Sequence, residues 1–420
     1  MSPIPQKAPS PPVPIPREGC KSASLLLHLF LFLATALVGI DICAMRTTSA
    51  AEVQLAEILS GIGILLLVAF LWRMARLGRG ILILAITVGV FLSYYTNSLI
   101  PAGALCGTLF AISQGALLLA TLPKEKLALF PLIPILAYAL TALLSMDPVG
   151  AVAALVPYPP MVVLALSTRA SAEREDGPTR NGVICATSLA LGVSMGGMIL
   201  LSLIRHYGTA DLTVILDNTR KATMDRMLSI EIPSNLPPET LKLFQEAFAY
   251  ENVQNLVNSL FNLLPALFSV AVMFLAAFCQ SFLFSSLKSL GFEASLTPRV
   301  KEFRMSTVSC VVFLVAYGAV WLDNSVISSL AGTVAQNVYI LLLPGLALAG
   351  TIRMTSLATR KGARGLGCLF YLVILIPCLL VTVPLIPAIL EVIGNLFTAI
   401  TAKLRVPEDD DPFGPSSKDS

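Results

Sequence analysis

The chain has 420 residues, of which 56% are hydrophobic and only 13% are charged. Soluble globular proteins carry about 25% charged residues, so this composition excludes an ordinary soluble protein. The net charge of +3 is too small to indicate a nucleic-acid partner. Apolar runs of roughly 20 residues, the length that crosses a bilayer as a helix, recur from Leu25 to Ala402. We therefore predict an all-α fold, a polytopic transmembrane bundle of about eleven spans with an outer helical loop and a lipid bilayer around it.

The N-terminus begins with a Pro-rich tail, residues 1–24, which we predict to be disordered because proline fixes φ and removes an amide donor. Leu25 to Ala44 is the first apolar run. The small residues Ser49-Ala-Ala51 also allow a cleaved signal peptide, but the run is long for one, so a retained anchor is favoured. An N-terminal membrane half is predicted over residues 25–204.

Further apolar runs complete this half, and short joints link them, as is usual for antiparallel neighbours. They cover residues 55–72, 80–96, 99–122, 127–145, 149–168 and 183–204. Lys and Arg cluster in alternate joints, such as Arg73–Arg79 and Arg169–Arg180, and are missing from Thr96–Ser98 and Met146-Asp147. This is the positive-inside pattern, and it predicts an inside N-terminus.

Residues 205–257 are predicted to form an outer helical lid. Apolar residues between Asp211 and Ile230 recur at helical spacing, and Asn235 followed by two prolines and Glu239 is typical of a helix start. No helix breaker follows until Pro265, so we expect this second helix to continue into the membrane. Three roles stay open for the segment: a lid over a cavity, a cap on the bundle, or a helix on the membrane surface.

A polar row follows the lid. Glu251, Asn255, Asn258 and Asn262 are spaced so that they share one helix face. Asparagine in hydrocarbon needs a partner or water, so the row indicates helix–helix hydrogen bonding or a solute path. The prolines around Pro157 interrupt an earlier span, which indicates either a packing kink or a transporter-type broken helix. Our substrate-binding hypothesis rests on Asn255, Asn258, Asn262 and Pro157.

The C-terminal membrane half is predicted over residues 258–402, followed by a disordered acidic tail, residues 403–420. Its final apolar stretch from Gly365 contains three prolines, so it fits either one span with an interfacial helix or two short spans. The side of the tail depends on that choice.

Catalytic and metal chemistry has little support in the sequence. There are only two histidines, and the eight cysteines form no CxxC pair, so we predict no metal site and no cofactor. Gly192-Val-Ser194-Met-Gly196 matches G-x-S-x-G, but it lies in an apolar span instead of a strand–turn–helix, and His206 is the nearest basic partner. A Walker A motif is missing. We predict that the protein is not an enzyme.

The later half carries a set of residues that suggests a family. These are Lys288-Ser-Leu-Gly291, Pro298 and Phe303-Arg-Met305 before a span, and then the segment Asn337-Val-Tyr-Ile-Leu-Leu-Leu-Pro-Gly-Leu346. On these residues the chain resembles the YybS-like family of functionally uncharacterised bacterial membrane proteins, over about residues 53–405.

The chain departs from the family pattern at Ser306, where a proline is usual, and at Pro344, where glutamine is frequent. The resemblance implies a multi-pass protein of the bacterial cell membrane, distantly like the substrate-binding subunits of energy-coupling-factor transporters. It therefore implies binding or transport of a small solute. The alternative is a non-catalytic envelope or assembly protein that acts through membrane protein partners.

Overall fold

The computed structural model describes residues 21–45, 50–72, 94, 98–121, 130–173, 180–230, 237–289, 305–321, 329–360 and 385–404. Every regular element in these residues is helical, which confirms the all-α class. The first helices are α1 (Lys21–Ala44), α2 (Ala50–Trp72), α3 (Ile100–Thr121), α4 (Leu132–Ser145), a 3-10 helix (Gly150–Leu155), α5 (Tyr158–Glu173) and α6 (Arg180–Tyr207). The others are α7 (Leu212–Leu228), α8 (Pro238–Ala247), α9 (Tyr250–Ser289), α10 (Thr307–Trp321), α11 (Ser329–Arg360) and α12 (Leu385–Leu404).

Six stretches of the described residues are long and apolar enough to cross a membrane. They are Leu27–Ala44, Ile100–Thr121, Gly150–Arg169, Gly182–Tyr207, Tyr250–Phe284 and Leu330–Ala347. Three shorter apolar helices, Leu132–Ser145, Thr307–Val320 and Ala388–Ile400, accompany them. The Pro-rich tail before residue 21, the run 80–96 apart from residue 94, the first part of the last apolar stretch and the acidic tail lie outside the described residues.

The chain folds into two compact units, and α9 contributes to both. One unit comprises Met1–Val253 with Ala271–Thr297, and the other comprises Gln254–Val270 with Pro298–Ser420. The membrane halves predicted at residues 25–204 and 258–402, the lid between them and the two tails remain predictions.

In the first unit α1 is the central helix, and it packs against α2, α3, α4 and the 3-10 helix. Small residues allow the close approach. A Cβ on Gly39 would meet Thr141 and Ala154 within 3 Å, and one on Gly107 would meet Val38 at 3.0 Å. Lipid tails are as apolar as the helix side chains, so there is little hydrophobic driving force between membrane helices. Close packing is therefore a main source of their association.

The core of this unit is mainly aliphatic and aromatic. Its buried residues include Leu31, Phe110, Phe130, Met161 and Phe282. One polar contact crosses it: Gln114 Nε2 of α3 donates to Ser286 Oγ of α9 at 3.0 Å. The last part of α9 is thereby fixed to the first unit by both packing and a buried hydrogen bond.

The predicted continuous helix from Asn235 into the membrane is wrong in one respect, because α8 ends before α9 begins. Phe248 leaves helical geometry, and its N–H donates to carbonyls of the last turn of α8. Asn252 Nδ2 donates to one of the same carbonyls, Glu246 O, at 2.6 Å. Pro265, by contrast, lies inside α9 without ending it.

The second unit is built on α10, α11 and α12. Its core contains Phe313, Leu346 and Val392, and the rings of Phe313 and Tyr339 stack with centroids 5.4 Å apart. Asn395 Nδ2 lies within hydrogen-bond distance of Met305 O at 3.1 Å and of the buried Glu391 at 3.0 Å. This amide therefore ties α12 to the start of α10.

Candidate functional site

A buried carboxyl group marks the meeting point of α1 and α2. Asp41 is completely buried and lies within the candidate span Leu27–Ala44. Ser60 Oγ lies 2.7 Å from Asp41 Oδ1, whereas Oδ2 has no hydrogen-bond partner among the described residues. An unpaired charge costs several kcal/mol to bury, and ionisable groups within spans usually have a functional role. Asp41 is therefore the first candidate for a functional group in this unit.

Gly103 of α3 brings a third helix to the same point. A Cβ on residue 103 would lie 2.7 Å from Asp41 Oδ2 and 2.6 Å from Ser60 Cβ. Contacts under 3 Å are not sustained by real side chains, so this approach requires glycine. The three helices thus enclose Asp41 without supplying a second hydrogen-bond donor.

Glu57 lies one turn before Ser60 on the same face of α2. Its carboxylate accepts hydrogen bonds from Ser98 Oγ at 2.6 Å and from Leu99 N at 3.0 Å. It therefore satisfies free donors at the start of α3, where negative charge is favourable. Glu57 is half-buried, and it is near enough to Asp41 for the two carboxylates to repel each other when both are ionised.

An apolar cavity of about 180 Å³ lies beside these groups, between α1, α2, α3 and α4. Ile40 and Leu59, the sequence neighbours of Asp41 and Ser60, are among its lining residues, with Leu37, Gly107 and Phe110. This lining can accommodate hydrocarbon but offers almost no hydrogen bonds.

The broken span has a polar contact at its start. Asp147 Oδ1 accepts a hydrogen bond from Gly150 N at 2.9 Å and so caps the 3-10 helix. Arg205 Nη1, at the end of α6, lies 2.9 Å from Asp147 Oδ2. The positive-inside pattern assigned both residues to one side of the membrane, and this ion pair agrees with that assignment.

The predicted interruption at Pro157 is present. The 3-10 helix ends at Leu155, and α5 begins at Tyr158. Pro157 is buried, and its carbonyl accepts a hydrogen bond from Met161 N at 3.1 Å, so the proline starts the new helix instead of kinking a continuous one.

The predicted asparagine row lies largely at the surface of α9. Asn255 and Asn262 are exposed, and Asn258 is half-buried. The buried side of this part of α9 is formed by Val253 and Val257. The three asparagines share one face of α9, and their role as a substrate site stays a prediction.

Asn337 of α11 is a contact that the sequence analysis missed. Its Nδ2 donates to Asn262 O at 2.8 Å, and its Oδ1 accepts from Ala266 N at 3.1 Å. One side-chain amide therefore bridges a carbonyl and an amide four residues apart in α9, on either side of Pro265. Its position inside an apolar run was the only sequence signal.

The G-x-S-x-G serine lies in the middle of α6. Ser194 Oγ donates to Ala190 O at 2.9 Å, four residues earlier in the same helix. This helical context differs from the strand–turn–helix that a nucleophilic serine needs. The described residues also contain no group of three or more His, Cys, Asp or Glu side chains that could hold a metal ion.

Comparison with family models, curated proteins and solved structures gives no match for this chain. The YybS-like resemblance thus gains no support from a family match. The six long apolar stretches decide the class. The protein is a multi-pass membrane protein.

Proposed function

We propose that this membrane protein, with about eleven spans in all, binds a small solute and moves it across the bilayer. The supporting observation is that a buried carboxyl and a broken span occur in the same unit. Asp41 belongs to α1, and the 3-10 helix that begins the broken span Gly150–Arg169 packs against α1. Intramembrane ionisable groups and discontinuous helices are both typical of transport sites. The YybS-like resemblance points the same way, and the proposal contains no catalytic step.

Within this proposal Asn255, Asn258 and Asn262 are the candidate solute contacts of the second unit, and the break at Pro157 is a separate candidate in the first unit. The accessible amides of the row are able to donate and accept hydrogen bonds. A thermal-shift screen of the purified full-length protein against vitamins, metal ions and metabolites tests the idea. At least one compound should raise the melting temperature of the native protein.

The matched variants for that screen are Asn258→Leu and Ser259→Leu. Ser259 is an exposed neighbour on a different part of the helix surface. The compound-induced shift should disappear in Asn258→Leu and persist in Ser259→Leu. Equal shifts in both variants would remove the row from the site, and a screen without any shift would count against solute binding.

The alternative function, an envelope or assembly protein acting through partners, is favoured by exposed apolar side chains outside the candidate spans. Leu212 and Leu216 of α7 and Leu243 of α8 are 53%, 47% and 66% exposed. Exposed apolar groups of this kind mark contact surfaces when they are contiguous. Stable co-purification with envelope proteins, without any ligand shift, would support this function, whereas co-purification with a pair of ATPase subunits would support transport.

The orientation we propose has the N-terminus inside and residues 205–257 outside. A single cysteine introduced at Thr209, just after α6, should react with an impermeant thiol reagent added to intact cells. A cysteine at Ala170, in the last turns of α5, should not react. Both are made in a cysteine-free background, and the reverse labelling pattern would invert the topology.

A further inference from the structure

The hydroxyl of Ser60 has two acceptors but only one hydrogen. Its Oγ lies 2.7 Å from Asp41 Oδ1 and 2.7 Å from the carbonyl oxygen of Ala56. If Asp41 is ionised, the Ser60 hydroxyl can satisfy one of the two short contacts, and the other remains unfilled. If Asp41 carries a proton on Oδ1, that proton is donated to Ser60 Oγ, and Ser60 donates to Ala56. Both distances are then hydrogen bonds of ordinary length.

The charges around Asp41 favour the same state. Three segments that pack on α1 contain no Asp, Glu, Lys, Arg or His, and these are α3, α4 and the 3-10 helix. The acidic group of α2 closest to Ser60 in sequence is Glu57, which repels a charged Asp41. Asp147, which precedes the 3-10 helix, is paired with Arg205. Cys43, two residues further along α1, is buried. No described cation offsets a negative charge on Asp41.

A metal cation fits this arrangement poorly. Asp41 offers two carboxylate oxygens and Ser60 one hydroxyl, whereas hard cations such as Ca²⁺ take six to eight oxygen ligands. The carboxylate of Glu57 is already engaged by Ser98 and by the backbone of Leu99. The space beyond Asp41 Oδ2 is closed by Gly103. The ligand of suitable size and charge is a single proton.

We propose that Asp41 is a reversible proton-binding site, reached from the end of the unit where Glu57 lies. Binding places the proton on Oδ1 and turns the Ser60 hydroxyl towards Ala56. Release returns the proton to water by way of the half-buried Glu57, and the Ser60 hydroxyl turns back to Asp41. Chains of acidic groups within membranes serve as proton relays in pumps and transporters. Use of this proton to drive a solute would rest on the proposed function, but the site itself does not.

Infrared spectroscopy of the full-length protein in an ester-free detergent tests the site directly, because among protein groups only a protonated carboxyl gives a C=O band above the amide I band. The native protein should show a band that is lost in Asp41→Asn and retained in Asp147→Asn, the matched control with an ion-paired carboxylate. The band should decline on raising the pH, and Ser60→Ala should shift it because the acceptor of the acid proton is gone. Ser60→Ala also keeps the test valid if Asp41→Asn does not fold.

The proposal is overturned if native protein and Asp41→Asn give the same carboxyl bands at every pH, or if Ser60→Ala leaves the band unmoved. The measurement uses no solute. A positive infrared result with a negative thermal-shift screen would therefore retain the proton site and reject solute binding. A negative infrared result with a positive screen would reject the proton site and retain solute binding.

Discussion

Replacement of Asn337 by leucine tests the link between α11 and α9. Leucine has nearly the same shape as asparagine but can neither donate to Asn262 O nor accept from Ala266 N, so two interhelical hydrogen bonds of 2.8 and 3.1 Å are lost. The helix α9 is interrupted in its hydrogen bonding at Pro265, which has no N–H. The bridging amide therefore acts where the helix is weakest.

The expected loss follows from the number of bonds. Hydrogen bonds between membrane helices average about 0.6 kcal/mol, with a maximum of about 1.7. Two bonds give a decrease of about 1 kcal/mol in the free energy of unfolding and at most about 3. The lower figure is favoured because Asn262 O and Ala266 N, four residues apart, can bond to each other in the variant.

Unfolding in mixed micelles by increasing the fraction of denaturing detergent, followed by far-ultraviolet circular dichroism, measures this difference. Gln336→Leu is the matched control, since Gln336 is the exposed preceding residue of the same helix. It should leave the free energy of unfolding within about 0.5 kcal/mol of the native value. Equal free energies for Asn337→Leu and Gln336→Leu would refute the bridging role.

Three further variants test packing, charge and capping. Gly115→Ala should lower the free energy of unfolding by about 1–3 kcal/mol because the new methyl group meets the Met161 side chain. Adding Met161→Ala to this variant should restore part of the loss, and additive losses would contradict the contact. Arg205→Ala removes a half-exposed ion pair and should lower the free energy of unfolding by only about 0.2–1 kcal/mol. Asp147→Ala should lower it more, because this change also leaves Gly150 N without its acceptor. The reverse order would exclude the cap. Hydrogen bonds from the Thr213 side chain and backbone lower the pKa of Asp211, so its cap on α7 is fully present above the ordinary carboxyl pKa and is lost as pH falls through the lowered pKa. The protection of the α7 amides, corrected for the intrinsic exchange rate at each pH, should fall there. A similar fall in Asp211→Asn would assign the effect to another group.

The sequence predicted those features that depend on local composition. The lengths of the apolar runs predicted α1, α3 and α6 to within a few residues, and the prolines predicted the break at Pro157. The basic joints are consistent with the ion pair between Asp147 and Arg205. These features could be predicted from the sequence because hydropathy decides which segments enter the bilayer and proline decides the local backbone conformation.

Asp41 was missed because one carboxyl in a run of apolar residues hardly changes its mean hydropathy. Its contact with Ser60 depends on how α1 and α2 are rotated about their axes, which is decided by packing against Gly103 far along the chain. The end of α8 at Phe248 was missed for a related reason. It depends on a side-chain hydrogen bond from Asn252, and no proline or glycine marks it.

The length of α9 determines how far the asparagine row lies from the hydrocarbon core of the membrane. With 40 residues the helix is about 60 Å long, roughly twice the thickness of the hydrocarbon core. In the proposed orientation, with Lys288 at the inner surface, the preceding 20 or so residues, back to about residue 268, would fill that core. Asn262 then lies about 9 Å beyond the boundary, and Asn255 about 20 Å beyond it. In that orientation a solute that meets this row would arrive from the outer aqueous phase and would reach the row without crossing lipid.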